Sequence, residues 1–482
     1  MTTGQIGPDA YRITVAGADF DVAGTFGVIN PATGRVFAQA PEVTPDRLDE
    51  IMATAAAAFR GWRRDEAARI AAMRAAADVI EANADYLAPI LTSEQGMPLR
   101  EAKADVGRAV EWMRYYVDLE IPRELVRNDM HGYAEVFRRP LGVVSAITPW
   151  NFPLALAFWK IAPALRAGNT IVVKPSAFTP LSILEISRLL RDVLPDGVFT
   201  VVTGGGKLGA ALVAHPHTNK VSFTGSTEVG RLVGVAAAQN ITPATLELGG
   251  NDAAIVFDDV DVQEIAQRLF WASFLNNGQA CLAAKRIYVQ DRIYDDVVEA
   301  VAAVARSVPV GDGKVPNNLL GPVNNKPQFD RVAELVNDAI ASGAKVAAGG
   351  APIKGEGYFY APTVLADLTD GVRVVDEEQF GPVMPIVRFS DADDAVRRAN
   401  ASPYGLTASV WTPQYERALR VAAELDAGQV SINVHGLGVQ TGLPFGGHKQ
   451  SGIGVENGIW GYYGFTETTA VTGFQAVPDV SR

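Results

Sequence analysis

The chain predicts an α/β architecture: a Rossmann-like doubly wound domain, a second α/β domain, and a small β oligomerisation segment. Three observations carry this. Between about residues 140 and 250, short and nearly continuous apolar runs alternate with helix-like stretches, the pattern of a parallel sheet covered on both faces. A second alternation follows Asn251. Two β-like pieces, within 121–140 and 465–482, belong to neither unit.

In chain order, alanine-rich helices are expected at 44–59 and 67–84, with 94–120 helical too. Strands follow at 142–147, 170–173, 198–202, 221–223 and 245–248, separated by helices such as 180–193 and 206–214. In such a sheet ligands bind beyond the carboxyl ends of the strands. The second unit has strands at 253–257, 286–289 and 384–389, with helices at 294–307 and 415–425. The boundaries are therefore 1–120 with 141–250 for the first domain and 251–450 for the second. The pieces at 121–140 and 465–482 either pair in one sheet, make contacts between subunits, or are ordinary surface hairpins. No period of 20–50 residues repeats, which excludes a solenoid.

Composition narrows the function. With 482 residues, 48% hydrophobic and 20% charged, the chain has material for two to four domains and a large core. A net charge of −12 argues against nucleic acid or an anionic membrane as partner. The first residues show no basic head followed by an apolar run, and no stretch approaches a membrane span. A cytoplasmic location is expected.

Cys281 is the only cysteine, so an internal disulfide and a multi-cysteine metal site are out. A lone cysteine is ordinarily a small buried apolar residue. Here it follows Asn276-Asn277-Gly278-Gln279-Ala280 and precedes the β-rich Arg286-Ile287-Tyr288-Val289. Amides and glycine fill a core poorly, and a thiol at that junction is open to a ligand.

Two segments compete to hold phosphate. Gly204-Gly205-Gly206-Lys207-Leu208-Gly209 matches the dinucleotide fingerprint, with Glu228 downstream, although adjacent glycines satisfy that pattern easily by chance. Phe223-Thr224-Gly225-Ser226-Thr227 also follows a strand and opens a helix, where small residues leave donors free for an anion. Lys174, ending a buried strand, either snorkels to the surface or donates to a ribose or phosphate.

Four further segments are dense in unusual residues: Pro149-Trp150-Asn151-Phe152-Pro153, Glu247-Leu248-Gly249-Gly250, Glu378-Gln379-Phe380-Gly381-Pro382, and 444–452 with its exposed-looking Phe445. Singly, each has a plain structural reading as a cap, a turn or core. Taken with the Gly-Gln-Ala-Cys segment and in this order, they resemble the aldehyde dehydrogenase superfamily, NAD(P)-dependent and acid-forming, over roughly residues 20–475.

The resemblance implies roles. Cys281 is the nucleophile and Glu247 the general base. Asn151, with the backbone N–H of Cys281, forms the oxyanion hole. Lys160 and Glu456 match positions of a proton path near the base. Lys174 binds the adenosine ribose, with Ser176 in the same cofactor site; Ser226 takes the pyrophosphate, which demotes the glycine triplet. Glu378 and Phe380 hold the nicotinamide ribose and ring, and Thr148 and Trp150 line the cleft. Residues 1–120 with 141–250 become the NAD(P)-binding domain. Phe152, Leu156, Trp159, Ala280, Leu282, Phe445 and the loop 435–443 form the substrate channel.

Such a channel is mostly apolar, which points to a hydrophobic aliphatic or aromatic aldehyde. Betaine or amino-aldehydes are the alternative, because aromatic channels also hold cations, and a charged semialdehyde is the other. Glu247 is present, so release by hydrolysis is expected over transfer to coenzyme A. Ala177 stands where NAD-selective relatives carry glutamate, leaving both NAD and NADP open. Val455 stands where arginine is common. A catalytically inactive structural member of the fold is the contrasting class, and the presence of Cys281, Glu247 and Asn151 together opposes it. None of the five histidines has a cysteine-pairing context that would suggest a thiol hydrolase. No metal is expected, and a homodimer or homotetramer is.

Overall fold

The computed structural model describes residues 11–436 and 439–477. Residues 1–10 of the expected first domain, 437–438 of the channel loop and 478–482 of the terminal segment lie outside the described residues.

Two parallel-rich sheets organise the chain. The first has six strands in the order Gly452–Ile453, Ala244–Glu247, Thr218–Thr224, Val143–Ile147, Thr170–Lys174, Phe199–Val201; only Gly452–Ile453 runs antiparallel. Its strands are buried almost throughout, because helices cover both faces. The chain runs from Val143–Ile147 outward to Phe199–Val201, then crosses back to Thr218–Thr224. The direction of winding therefore reverses between Val143–Ile147 and Thr218–Thr224, where doubly wound sheets bind ligands.

The second sheet has seven strands, in the order Lys345–Ala348, Thr363–Leu368, Val383–Phe389, Ala284–Gln290, Asp252–Val256, Thr407–Trp411, Gln429–Ile432. Lys345–Ala348 alone is antiparallel. Helix Tyr294–Ser307 shows how the sequence dictates this layer. Val297, Val301, Ala302 and Ala305 recur at helical spacing and are buried, while Asp295 and Asp296 occupy the first turn, where the helix dipole favours acids. Glu247 ends one sheet and Asp252 begins the other, so the two meet at Leu248–Asn251.

The two isolated β pieces pair with each other. Thr466–Gly473, Gly132–Pro140 and Glu124–Asp129 form an antiparallel three-stranded sheet, registered from Thr466 opposite Pro140 to Gly473 opposite Tyr133.

Three expectations are corrected. The stretch 94–120 is not one helix: Ala84–Gln95 and Leu99–Asp118 are separate. Gly96, in the left-handed conformation (φ +98°), ends the first, and a Cβ there would lie 2.8 Å from both Pro31 and Pro322. The helix expected from Thr44 begins at Leu48, after a 3₁₀ turn Pro45–Arg47, and runs to Trp62. Phe445 is not an exposed loop residue. It is 3% exposed and its backbone bridges to Glu456.

Candidate active site

After helix Val262–Phe274 the backbone turns left-handed at three successive residues, Asn276 (φ +49°), Asn277 (φ +60°) and Gly278 (φ +72°). Asparagine tolerates that region and glycine enters it freely. Gly278 is also fixed by space: a Cβ would sit 2.1 Å from the Gly381 carbonyl. The amide of Asn276 donates to Asn151 O at 2.8 Å and that of Gln279 returns to Asn276 O at 3.0 Å. Cys281 follows, just before strand Ala284–Gln290.

Cys281 opens on a cavity of about 580 Å³. Four of the expected channel residues, Phe152, Leu156, Trp159 and Leu282, line it. Ala280 and Phe445 do not: Ala280 is fully buried, and Phe445 supports the wall from behind, its ring edge-on to Trp159 at 5.1 Å. Trp112, stacked on Trp159 at 5.6 Å, joins Trp271 and Trp411 in the lining. Charges lie on the same wall: Arg100, Arg108 and Arg268 against Glu101 and Glu111. Arg108 Nη1 is 3.9 Å from the buried Asp105. His435 also reaches the cavity, but its ring nitrogens contact Ser409 (2.8 Å) and Thr407 (3.4 Å), and burial pulls its pKa down to about 3.

Burial pushes the Cys281 thiol up to about 12; Lys285 opposes, and Asp252, Glu378 and Glu247 add to the rise.

Glu247 ends the strand Ala244–Glu247 with both carboxyl oxygens buried and without hydrogen-bond partners. Burial raises it well above the usual carboxylate range, Glu456 raises it further, and Lys160 pulls it down. Lys160 and Glu456 are paired at 2.5 Å, with Ser222 Oγ donating to the same Glu456 oxygen at 3.2 Å. Lys160 comes from helix Pro153–Ala167, which is buried on every side. Asp105 fixes its start by accepting from the N–H groups of Leu154 (3.0 Å) and Ala155 (3.4 Å), donors with no partner inside the helix.

Most of the expected cofactor residues lie at the carboxyl edge of the first sheet. Thr148, whose N–H donates to Lys174 O at 3.1 Å, and Trp150 follow strand Val143–Ile147. Lys174 is buried, which lowers its ammonium to about 8, and donates to Pro175 O at 3.1 Å. Ser176 accepts from Phe178 N at 3.3 Å. Ser226 caps helix Thr227–Gln239, accepting from Val229 N, and the hydroxyls of Thr224 and Thr227 beside it are buried without partners. Glu378 and Phe380 arrive from the second sheet. Glu378 accepts from Gly250 N (3.1 Å) and Lys285 (2.9 Å), and Phe380 packs edge-on to Trp150 at 5.3 Å.

This edge fits a dinucleotide. Orphaned hydroxyls and free N–H groups at a helix start suit a diphosphate, and they sit where the winding reverses. The glycine triplet instead follows Phe199–Val201, the far edge strand. It forms a strand-to-helix turn there, and Gly209 in the helix it opens packs beside Lys174 and Ile147.

Sequence reasoning did not single out Asp105, Arg108, Lys285, Trp112, Trp271 or Trp411 for the site, whereas His435 belongs to the expected channel loop. Only Lys285 left a signal, as a lysine four residues beyond the cysteine at the start of a buried strand.

A thiol lining a largely apolar cavity, in a chain whose doubly wound sheet carries a dinucleotide-fitting edge, matches the class of dinucleotide-dependent oxidoreductases. The comparisons agree with that class. A model of the aldehyde dehydrogenase family matches residues 20–471. The chain is 40% identical to phenylacetaldehyde dehydrogenase of Pseudomonas fluorescens, covering 93% of this chain and 92% of that one. It is 38% identical to human retinaldehyde dehydrogenase 3, over 93% and 89%. The NAD+ complex of an aldehyde dehydrogenase from Bacillus cereus superposes with a TM-score of 0.93 at 36% identity, covering 96% of each chain. An NADP-dependent enzyme of E. coli gives 0.93 at 35%, over 96% and 98%. The chain belongs to the aldehyde dehydrogenase family.

Proposed function

We propose that the protein oxidises a hydrophobic aldehyde, aliphatic or aromatic, to the carboxylic acid with NAD or NADP, through a covalent adduct on Cys281. One observation carries the reading: Cys281 opens on a tryptophan-lined cavity while its backbone carbonyl is joined to Glu378 through the Lys285 ammonium. Substrate and dinucleotide thus approach one sulfur from two sides.

The chemistry follows from the residues. Cys281 first loses its proton to solvent; the thiolate then adds to the aldehyde carbon, the C=O π bond breaks, and the carbonyl oxygen becomes anionic. The Asn151 amide and the Cys281 N–H stabilise that oxygen, each typically worth ~2.7–4 kcal/mol. Lys174, Ser226 and Glu378 would hold the dinucleotide, which when bound would supply the hydride acceptor; loss of hydride from the adduct carbon re-forms the carbonyl and leaves a thioester on Cys281. Sulfur suits both halves, as a strong nucleophile and a competent leaving group. Glu247 then takes a proton from water, which attacks the thioester and releases the acid. Its raised pKa makes it a stronger base once ionised. The Lys160–Glu456 pair beside it carries that proton onward.

The cavity favours neutral substrates. Arg100, Arg108 and Arg268 are offset by Glu101, Glu111 and the Asp105 behind Arg108, so the lining carries no charge surplus to select a cation or a carboxylate, and its tryptophans, Phe152 and leucines offer apolar surface. The relatives named for phenylacetaldehyde and retinaldehyde support this. The test is an aldehyde panel with NAD and with NADP, following absorbance of the reduced nicotinamide. Phenylacetaldehyde, benzaldehyde and hexanal should lead, and a clear preference for succinate semialdehyde contradicts the reading. With Ala177 at the position that selects NAD, both dinucleotides should serve; a preference for NAD beyond a thousandfold contradicts that part.

The protein self-associates in this reading. Helix Thr227–Gln239 exposes Val229, Leu232 and Val235 at helical spacing, beside the short edge strand carrying exposed Ile453. The three-stranded sheet exposes Leu125 and Val126 on its open edge strand. Apolar faces of this kind are sites for a second subunit. Among the described residues no helix is long and apolar enough to cross a membrane.

A further inference from the structure

We propose that Lys285 is a positioning residue that binds the nucleophile loop to the carboxylate holding the dinucleotide. Its ammonium donates to the Cys281 carbonyl at 2.7 Å and to Glu378 Oε1 at 2.9 Å, and its side chain is only 2% exposed. It lies 5.6 Å from the Phe380 ring centroid, the ring that packs on Trp150 next to Asn151. The same Glu378 oxygen accepts from Gly250 N at 3.1 Å. A Cβ on Gly250 would meet Cys281 O at 2.8 Å, and one on Gly249 would meet Glu378 Oε2 at 2.4 Å. Three backbone segments from both sheets therefore converge with no spare space, and one ammonium joins them.

The position sets two properties together. Charge-assisted bonds hold Glu378 at a fixed height over the Gly249–Gly250 turn, which fixes the ribose it meets. The same positive charge sits 2.7 Å from the Cys281 carbonyl, in the residue whose thiol has only acidic groups, Asp252, Glu378 and Glu247, as its other charged neighbours. Lys285 is thus the cation that eases formation of the thiolate. A lysine present only to neutralise Asp252 and Glu378 would affect stability alone.

The proposal rests on Cys281 as the nucleophile, and the experiment separates the two. In full-length protein, Lys285→Met, Lys285→Gln and Lys285→Arg are compared with the parent. NAD and NADP affinity is read by calorimetry, and the rate of Cys281 alkylation by iodoacetamide is followed against pH by intact mass. Lys285→Met should bind dinucleotide roughly tenfold more weakly and move the alkylation profile to higher pH. Lys285→Arg, which keeps the charge and both donors, should restore most of each. Lys285→Gln is read in the same way if the Met variant does not fold. Parent-like affinity and profile in Lys285→Met overturn the proposal. So do equal losses in all three variants accompanied by one common fall in melting temperature. Activity that survives full alkylation of the parent sinks the nucleophile reading instead.

Discussion

The side-chain amide of Asn276 donates to the backbone carbonyl of Asn151 at 2.8 Å. The turn that delivers the thiol is thereby fastened to the segment that carries Asn151, the proposed oxyanion donor. Asn276 also holds a left-handed conformation that alanine adopts poorly. Asn276→Ala should cost about 1–3 kcal/mol of stability. It should lower kcat more than it raises KM, since geometry between two reacting groups is lost. Thermal melts and steady-state kinetics check both. An unchanged kcat contradicts the coupling.

The pH dependence follows from Glu247. Burial raises its carboxyl well above the ordinary range, with Glu456 reinforcing and Lys160 opposing. A base must be ionised, so activity should be lost as pH falls through this raised value. The acid limb of kcat should therefore stand well above the pH at which an ordinary glutamate titrates. The buried thiol, held up to about 12, reinforces the gain toward alkaline pH. A profile flat down to pH 5 contradicts it.

Lys160 and Glu456 form a pair with almost no exposure. Lys160→Met strands a buried carboxylate and should destabilise the protein by about 3–5 kcal/mol. Because Lys160 lowers the Glu247 pKa, its loss should also move the acid limb to higher pH. Denaturant melts and a pH–rate profile test the two effects separately.

Leu232→Glu, on the exposed face of helix Thr227–Gln239, should reduce the subunit number seen by light scattering. An oligomer of unchanged size places the contact elsewhere.

The sequence made the layers and the chemistry legible to different depths. Buried strands such as Thr170–Lys174 and helices such as Tyr294–Ser307 announce themselves through local periodicity. Cys281 stood out because the amides and glycine before it fill a core poorly, whereas Glu247 and Asn151 each allowed a plain structural reading and took their expected roles from the family resemblance. What stayed hidden depends on contacts across sheets. The helix break at Gly96 reflects Pro31 and Pro322 pressing on one Cα, the latter more than 200 residues away. The sequence left Phe445 open between loop and core, because its contacts with Trp159 and Glu456 are distant in the chain, and the glycine triplet was demoted by the resemblance and not by any local pattern. Val455 is partly exposed beside the Gly452–Ile453 edge, and nothing in the structure explains its replacement of an arginine.

The central claim is that oxidation passes through an acyl group on Cys281. The direct measurement is intact and peptide mass spectrometry of acid-quenched Glu247→Gln protein given phenylacetaldehyde and NAD. Without its base the enzyme should stall, carrying one phenylacetyl group on the peptide that contains Cys281. An unmodified Cys281 during continued turnover, or a Cys281→Ser variant that oxidises aldehyde at the parent rate, contradicts the account.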